Sequence, residues 1–251
     1  MMSISAKVAI FYTDHEAEWV KPWKNFAEMG KKVLEQARVL ENCDDLDIEY
    51  QVFDIYHGEF PTVSEITREN GYLGIYITGS RYDSFDTDTE WIIKLRQLLK
   101  TLLSDDKYPP TAGVCFGHQV IAAALGCKVD RNPNGFEGGV VPVTLNSEGQ
   151  KLFPNCKTLN LPEMHKDAVL EVPPGCVNWG SSSQCKLQGF YKPNRLITFQ
   201  GHPEFTNMIV KWGLQRIPQD VKPEMINSID SYRNDGPSSA TLIWKLFKQQ
   251  I

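Results

Sequence analysis

The sequence predicts an α/β fold: three layers, α/β/α, around a mostly parallel central sheet with an antiparallel extension. Three observations carry this reading. Short apolar runs alternate with amphipathic helical stretches through the first half of the chain, strand patterns then follow one another between Pro, Gly and Asn turns after Gly126, and the chain returns to helix from Met208 onward. Strand–helix alternation of this kind builds a parallel sheet covered on both faces, and consecutive short strands add antiparallel ribbons.

In order, residues 7–13 form an apolar, β-rich run, and residues 47–54 alternate around Ile48, Tyr50 and Val52; both predict strands. Between them, residues 19–40 place Phe26, Met29, Val33, Leu34, Ala37 and Leu40 on one face, which predicts a helix across the whole span. Residues 72–78 predict a third strand ending at Gly79-Ser80. A helix follows over residues 87–103, with Trp91, Ile92, Leu95, Leu98, Leu99 and Leu102 at helical spacing. Residues 109–114 form a fourth strand leading directly into a helix that starts at Phe116 or Gly117 and is stopped after Leu125 by Gly126. Short strands are expected at 128–131, 139–145, 158–161, 168–172, 177–181, 187–191 and 196–200, and helices at 208–216, 222–232 and 238–248. No linker, repeat or low-complexity tract divides residues 1–251, which read as one domain.

The composition excludes several classes. With 251 residues and 41% apolar content, the chain has the make-up of an ordinary globular protein, not of a disordered or fibrous one. A net charge of −5, with no cluster of Lys and Arg, argues against a nucleic-acid partner. Apolar runs such as residues 8–12 and 120–126 fall well short of a membrane span, and the first residues resemble neither a secretory nor a transit signal, so a cytoplasmic protein without a membrane partner is expected. The six cysteines are dispersed, with no C-x-x-C pair and no metal-ligand spacing to the histidines. No metal or cofactor is expected.

One cysteine stands apart. Gly113-Val114-Cys115-Phe116-Gly117 joins the fourth strand to its helix in the G-x-nucleophile-x-G pattern, with the strand before and helix after that the pattern requires. From the chain's own composition, roughly 0.03 matches arise by chance, and the structural context lowers that further. Side chains flanking such a sharp turn collide, so glycine is needed two residues to either side. Cys115 would also sit at a helix N-terminus, where the dipole favours a thiolate. The bland alternative is a buried apolar cysteine with glycines easing helix packing.

A thiol that attacks a carbonyl and releases an amine needs a base that can return as an acid, and a group that orients the base. Gly201-His202-Pro203-Glu204 follows the strand at 196–200 and offers both, if a turn at Pro203 folds Glu204 back toward His202. Asn134-Gly135-Phe136-Glu137-Gly138-Gly139 lacks dinucleotide or P-loop spacing, so no nucleotide cradle is inferred.

Gly113–Gln119, Gly201–Glu204 and the strand-ending Ile77-Thr78-Gly79-Ser80 together resemble the signature segments of class I glutamine amidotransferase domains, in the family's order and over nearly the whole chain, closest to free-standing members that include γ-glutamyl peptidases. The resemblance implies a flavodoxin-like fold with Cys115 as nucleophile, His202 as base and then acid, and Glu204 as the orienting carboxylate. It further implies an oxyanion hole from the amides of Gly79 and Phe116, worth on the order of 3–4 kcal/mol per donor. Ser80, Gln119, His165 and Asp167 would contact substrate, although Lys166 replaces a glycine of the family's His-Gly-Asp segment. Trp19, Pro22 and Trp23 form an aromatic cluster more in keeping with packing than with a lid.

The expected activity is hydrolysis of the γ-amide of glutamine or of a γ-glutamyl compound through a γ-glutamyl thioester. Two versions compete: an amidotransferase subunit passing ammonia to a synthetase partner, and a γ-glutamyl peptidase acting alone on glutathione-like conjugates. A different class of reading is a binding or regulatory protein that keeps the fold without turnover. A third, a cysteine hydrolase or chaperone of the related Cys-elbow superfamily, would take its acid from the end of the first strand, where Asp14 and Glu16 stand.

Overall fold

The computed structural model describes residues 6–15, 18–43 and 47–251. Glu16 and the N-terminal residues 1–5, to which the signal-peptide reading refers, lie outside them.

Strands β1 (Ala6–Tyr12), β2 (Ile48–Asp54), β3 (Tyr72–Ile77) and β4 (Thr111–Val114) alternate with α1 (Phe26–Leu40), α2 (Glu90–Leu102) and α3 (Phe116–Ala124). Short strands follow: β5 (Val129–Arg131), β6 (Glu137–Leu145), β7 (Thr158–His165), β8 (Asp167–Val169), β9 (Val177–Ser181), β10 (Gly189–Lys192) and β11 (Leu196–Phe199), with α4 (Ser147–Leu152) after β6. Helices α5 (Asn207–Leu214), α6 (Pro223–Ser231), α7 (Gly236–Ser239) and α8 (Thr241–Phe247) complete the chain.

The main sheet runs in the order β2-β1-β3-β4-β11-β10-β9-β6-β7. The first five strands are parallel and the last four continue antiparallel, the mixed arrangement expected. Strand β5 pairs with β8 in a separate ribbon. The alternation in β1 explains the layers: Val8, Ile10 and Tyr12 pack with α1 and α8 on one face, and Ala9 and Phe11 with α2 and α3 on the other. On the first face, Trp244 of α8 is fully buried and donates its indole N–H to the Leu34 carbonyl of α1.

Residues 19–40 are not one helix. Glu18–Trp23 form a 3₁₀ segment, Lys24 adopts a positive φ of 69°, and Asn25 caps α1 by accepting from the Glu28 amide at 2.9 Å. The apolar spacing continues across this break because both pieces face the same core, which is why periodicity alone runs through it. The expected helix at 238–248 likewise divides at Ala240, and α4, short and capped by Asn146, carries too little periodicity to be seen in sequence. The stop at Gly126 holds, with a φ of +86°. Among the described residues, no helix is long and apolar enough to cross a membrane.

Trp179 ties the extension to the parallel half: it is fully buried on β9 and donates to the Thr198 carbonyl of β11 at 2.9 Å. Trp179→Ala should therefore lower unfolding free energy by about 3–5 kcal/mol in urea titrations, and a loss under 1 kcal/mol would contradict its role as the join.

Candidate active site

Strand β4 lies between β3 and β11, with Gly113 opposite Ile77 and Val114 opposite Phe199. All three strands run parallel, so the segments leaving their C-terminal ends meet at one place, where open α/β sheets hold their ligands. Those segments carry Gly79-Ser80, Cys115 and His202.

Cys115 occupies φ 48°, ψ −105°, a region that a side-chain-bearing residue rarely adopts. The surroundings enforce it. The Cys115 amide donates to the Phe199 carbonyl at 2.8 Å, and His118, one turn into α3, holds the Thr198 hydroxyl on the same strand at 2.8 Å. Burial lowers His118 to about 3, so this second tie is made by a neutral ring. A Cβ on Gly113 would come within 2.6 Å of the Gly117 backbone, and one on Gly117 within 2.5 Å of the Ile77 carbonyl oxygen. Glycine at these two positions is what allows the elbow to be this tight.

His202 is positioned from β7, its amide donating to the Pro162 carbonyl at 2.8 Å, and its ring stacks on Phe205 with centroids 3.9 Å apart. The chain turns at Pro203, the Phe205 amide returning to the His202 carbonyl, and this brings Glu204 Oε1 to 2.8 Å from His202 Nδ1. Both side chains are buried. A Cβ on Gly79 would lie 2.9 Å from the His202 ring and 3.8 Å from Cys115 Cβ, so thiol, imidazole and the Gly79 backbone share one spot. Burial disfavours the imidazolium, but the negative charges of Cys115 and Glu204 outweigh it and hold His202 well above its ordinary value. Neither the Gly79 nor the Phe116 amide has a hydrogen-bond partner among the described residues.

Cys115 opens into a cleft of about 510 Å³ whose lining includes Ser80, Gln119, His165 and Asp167. The four expected contact residues are therefore gathered around the thiol. Gln119 Nε2 donates to the Asp167 carbonyl at 3.1 Å and to Gln200 at 3.2 Å. Both ring nitrogens of His165 are engaged, by the Asp167 carbonyl and by Glu137 Oε2, each at 2.8 Å.

Residues 42–209 match the family described as glutamine amidotransferase class-I. The chain belongs to the class I glutamine amidotransferase family. It is 52% identical over 250 residues to a Saccharomyces cerevisiae protein, covering 98% of each chain. It is 33% identical over 172 residues to γ-glutamyl peptidase 2 of Arabidopsis thaliana, covering 67% of each. A solved glutamine amidotransferase of Thermotoga maritima shares the fold with a TM-score of 0.70 at 18% identity, over 97% of this chain and 98% of that one.

Within this amidotransferase fold, sequence reasoning missed the charged residues that shape the cleft. Arg131 closes β5 and pairs with both Asp83 and Asp167. Burial raises the Asp167 carboxyl despite Arg131, whereas the Arg131 hydrogen bond holds the more open Asp83 below its ordinary value. Arg81, after Gly79-Ser80, pairs with the buried Asp14. Lone charges in loops give no periodic signal. Glu16, the other acid of the Cys-elbow reading, lies outside the described residues.

Glu137, His165 and Cys185 place one donor atom each within 4.8 Å of one another, the only such group among the described residues with the makings of a metal site. Hydrogen bonds from His165, Ser182 and Gln188 already engage the Glu137 oxygens, and burial pushes the Cys185 thiol up to about 12, so the set forms a closed polar network.

Glu163, on β7, is fully buried; neither carboxyl oxygen has a hydrogen-bond partner among the described residues, and its ion-pair contact is His165, with Nε2 3.5 Å from Oε2. Burial and then Glu137 raise its carboxyl well above the ordinary range. A raised carboxyl supports folding below the unfolded value of about 4.3 and loses that contribution as pH climbs toward the folded value. Glu163→Gln, which stays neutral, should therefore gain in stability over the wild type as pH rises from 4.5 to 8, measured by urea unfolding. A constant difference across that window would contradict a protonated Glu163.

Proposed function

We propose that the protein is a cysteine-dependent hydrolase of γ-glutamyl compounds, working through a γ-glutamyl thioester. The observation that carries this is the buried chain from Glu204 through His202 to Cys115, assembled by the ends of β4 and β11. On this reading the Cys115 thiolate attacks the γ-carbonyl carbon, forming the C–S bond. The carbonyl oxygen gathers charge between the Gly79 and Phe116 amides, oriented toward it at the strand end and helix N-terminus. As the tetrahedral species collapses, the C–N bond breaks and the imidazolium proton of His202 passes to the departing nitrogen. His202, now neutral, takes a proton from water, which attacks the thioester and releases glutamate. Glu204 keeps the ring oriented and stabilises its charged form, as an acid does in a nucleophilic triad.

Ser80, Gln119 and Asp167 hold the glutamyl moiety in the large cleft, and His165, with both nitrogens occupied, steadies its wall. No cofactor enters this chemistry. A cytoplasmic setting suits a free reactive thiol. Family membership supports the hydrolase; whether ammonia is passed to a synthetase partner or a γ-glutamyl peptide is cleaved separates the amidotransferase from the peptidase version.

A glutamine-analogue electrophile should label Cys115, read by peptide mass spectrometry, with His202→Ala slowing labelling and lowering hydrolysis at least about 10³-fold and Glu204→Gln about 10²–10⁴-fold. Labelling absent from Cys115, or indifferent to His202→Ala, would favour a non-catalytic binding protein.

A further inference from the structure

We propose that a second, smaller cavity on the His202 side of the thiol is a leaving-group subsite in which Arg81 reads a carboxylate, so that the preferred substrate is a γ-glutamyl amino acid or peptide in place of a bare γ-amide. The inference rests on the hydrolase reading above and specifies its substrate class.

Two cavities meet at Ser80, Arg81, Cys115 and Met164. Gln119 and Asp167 line only the larger, and His202 only the smaller. The proton that releases the amine comes from His202, so the scissile nitrogen and whatever it carries project into the smaller cavity while the glutamyl chain fills the larger. Ammonia is the size of water, and a water-sized molecule needs about 10–15 Å³ of such space. The smaller cavity offers about 130 Å³. It has room for a residue beyond the nitrogen.

Its walls state what that residue is. Trp19, Phe26 and Phe205 provide apolar surface, Arg81 is the cation, and the one carboxylate in the lining, Asp14, is already paired with it. The guanidinium is aimed by Asp14, which is 1% exposed and accepts from the Arg81 amide at 3.2 Å and from Arg81 Nε at 3.0 Å. The His15 amide completes the Asp14 shell at 2.8 Å. With Nε held, neither Nη of Arg81 has a partner among the described residues. A guanidinium fixed through Nε with its two Nη groups free presents the fork that takes a carboxylate in a bidentate pair. Asp14 is thus a positioning residue and Arg81 the group that contacts the leaving amine's carboxylate. The reaction balances as before: the C–N bond breaks, His202 gives its proton to that nitrogen, and the product amine is an amino acid or peptide.

The test compares kcat/KM on two matched pairs, γ-glutamyl-alanine against γ-glutamyl-alaninamide and glutathione against its C-terminal amide. The wild type should prefer the free carboxylate by about tenfold or more in one pair, and the pair that shows it fixes whether the carboxylate sits one or two residues beyond the scissile bond. Arg81→Gln should bring that ratio toward one. Arg81→Lys, which keeps the charge against Asp14 but loses the fork, should lower it severalfold and serves if the Gln variant does not fold. Turnover with no carboxylate preference, or a ratio unmoved by both variants, overturns the subsite and leaves the hydrolase reading standing. Absence of Cys115-dependent turnover on every substrate removes both.

Discussion

The parallel pairing of β4 with β11 is the constraint on which the rest of the site depends. It sets Val114 beside Phe199, and the residues that follow each strand then emerge side by side although they are far apart in sequence. The hydrogen bond from the Cys115 amide to Phe199 and the neutral His118 contact to Thr198 fasten the elbow to that same strand. A slip of one residue would turn every β11 side chain to the opposite face and carry His202 away from the thiol. Register, fixed by a buried two-sided sheet, is therefore a condition for the proposed chemistry.

The elbow stores strain that the fold supports from outside. Cys115 keeps an unfavourable backbone conformation because Gly113 and Gly117 let α3 close on β3 and β4 with no side chain between them. The helix N-terminus then points at the sulfur, and the imidazole is kept cationic by Cys115 and Glu204 against the pull of burial. Behind this pair stands a buried acidic wall of Glu163 and Glu137: burial raises the Glu163 carboxyl well above its ordinary range, and the hydrogen bond from His165 keeps Glu137 below its own despite burial. Low dielectric strengthens each of these interactions, so small displacements of the wall reach the reacting groups.

Two of the three segments that meet at the site could be read from the chain because their chemistry and spacing are local: the Gly-x-Cys-x-Gly elbow and the His-Pro-Glu turn each declare themselves within five residues. The alternation of strand and helix was equally legible, since burial on two faces imposes a period on every element. The reading failed where local spacing and local geometry part company. One apolar face runs through the break at Lys24 and Asn25, because the 3₁₀ segment and α1 cover the same core. Arg131, Glu163 and the Asp14–Arg81 pair are single polar residues whose meaning comes only from partners on other elements.

The sequence by itself determined the α/β architecture and marked the Gly-x-Cys-x-Gly turn and the His-Pro-Glu segment as the candidate site, because periodicity, turn chemistry and motif spacing are properties of neighbouring residues. Only the tertiary structure decided which cavity each side chain lines, which carboxyls burial raises and that Arg81 pairs with Asp14. Those outcomes depend on burial and on partners brought together by strand order, and no stretch of sequence carries that information alone.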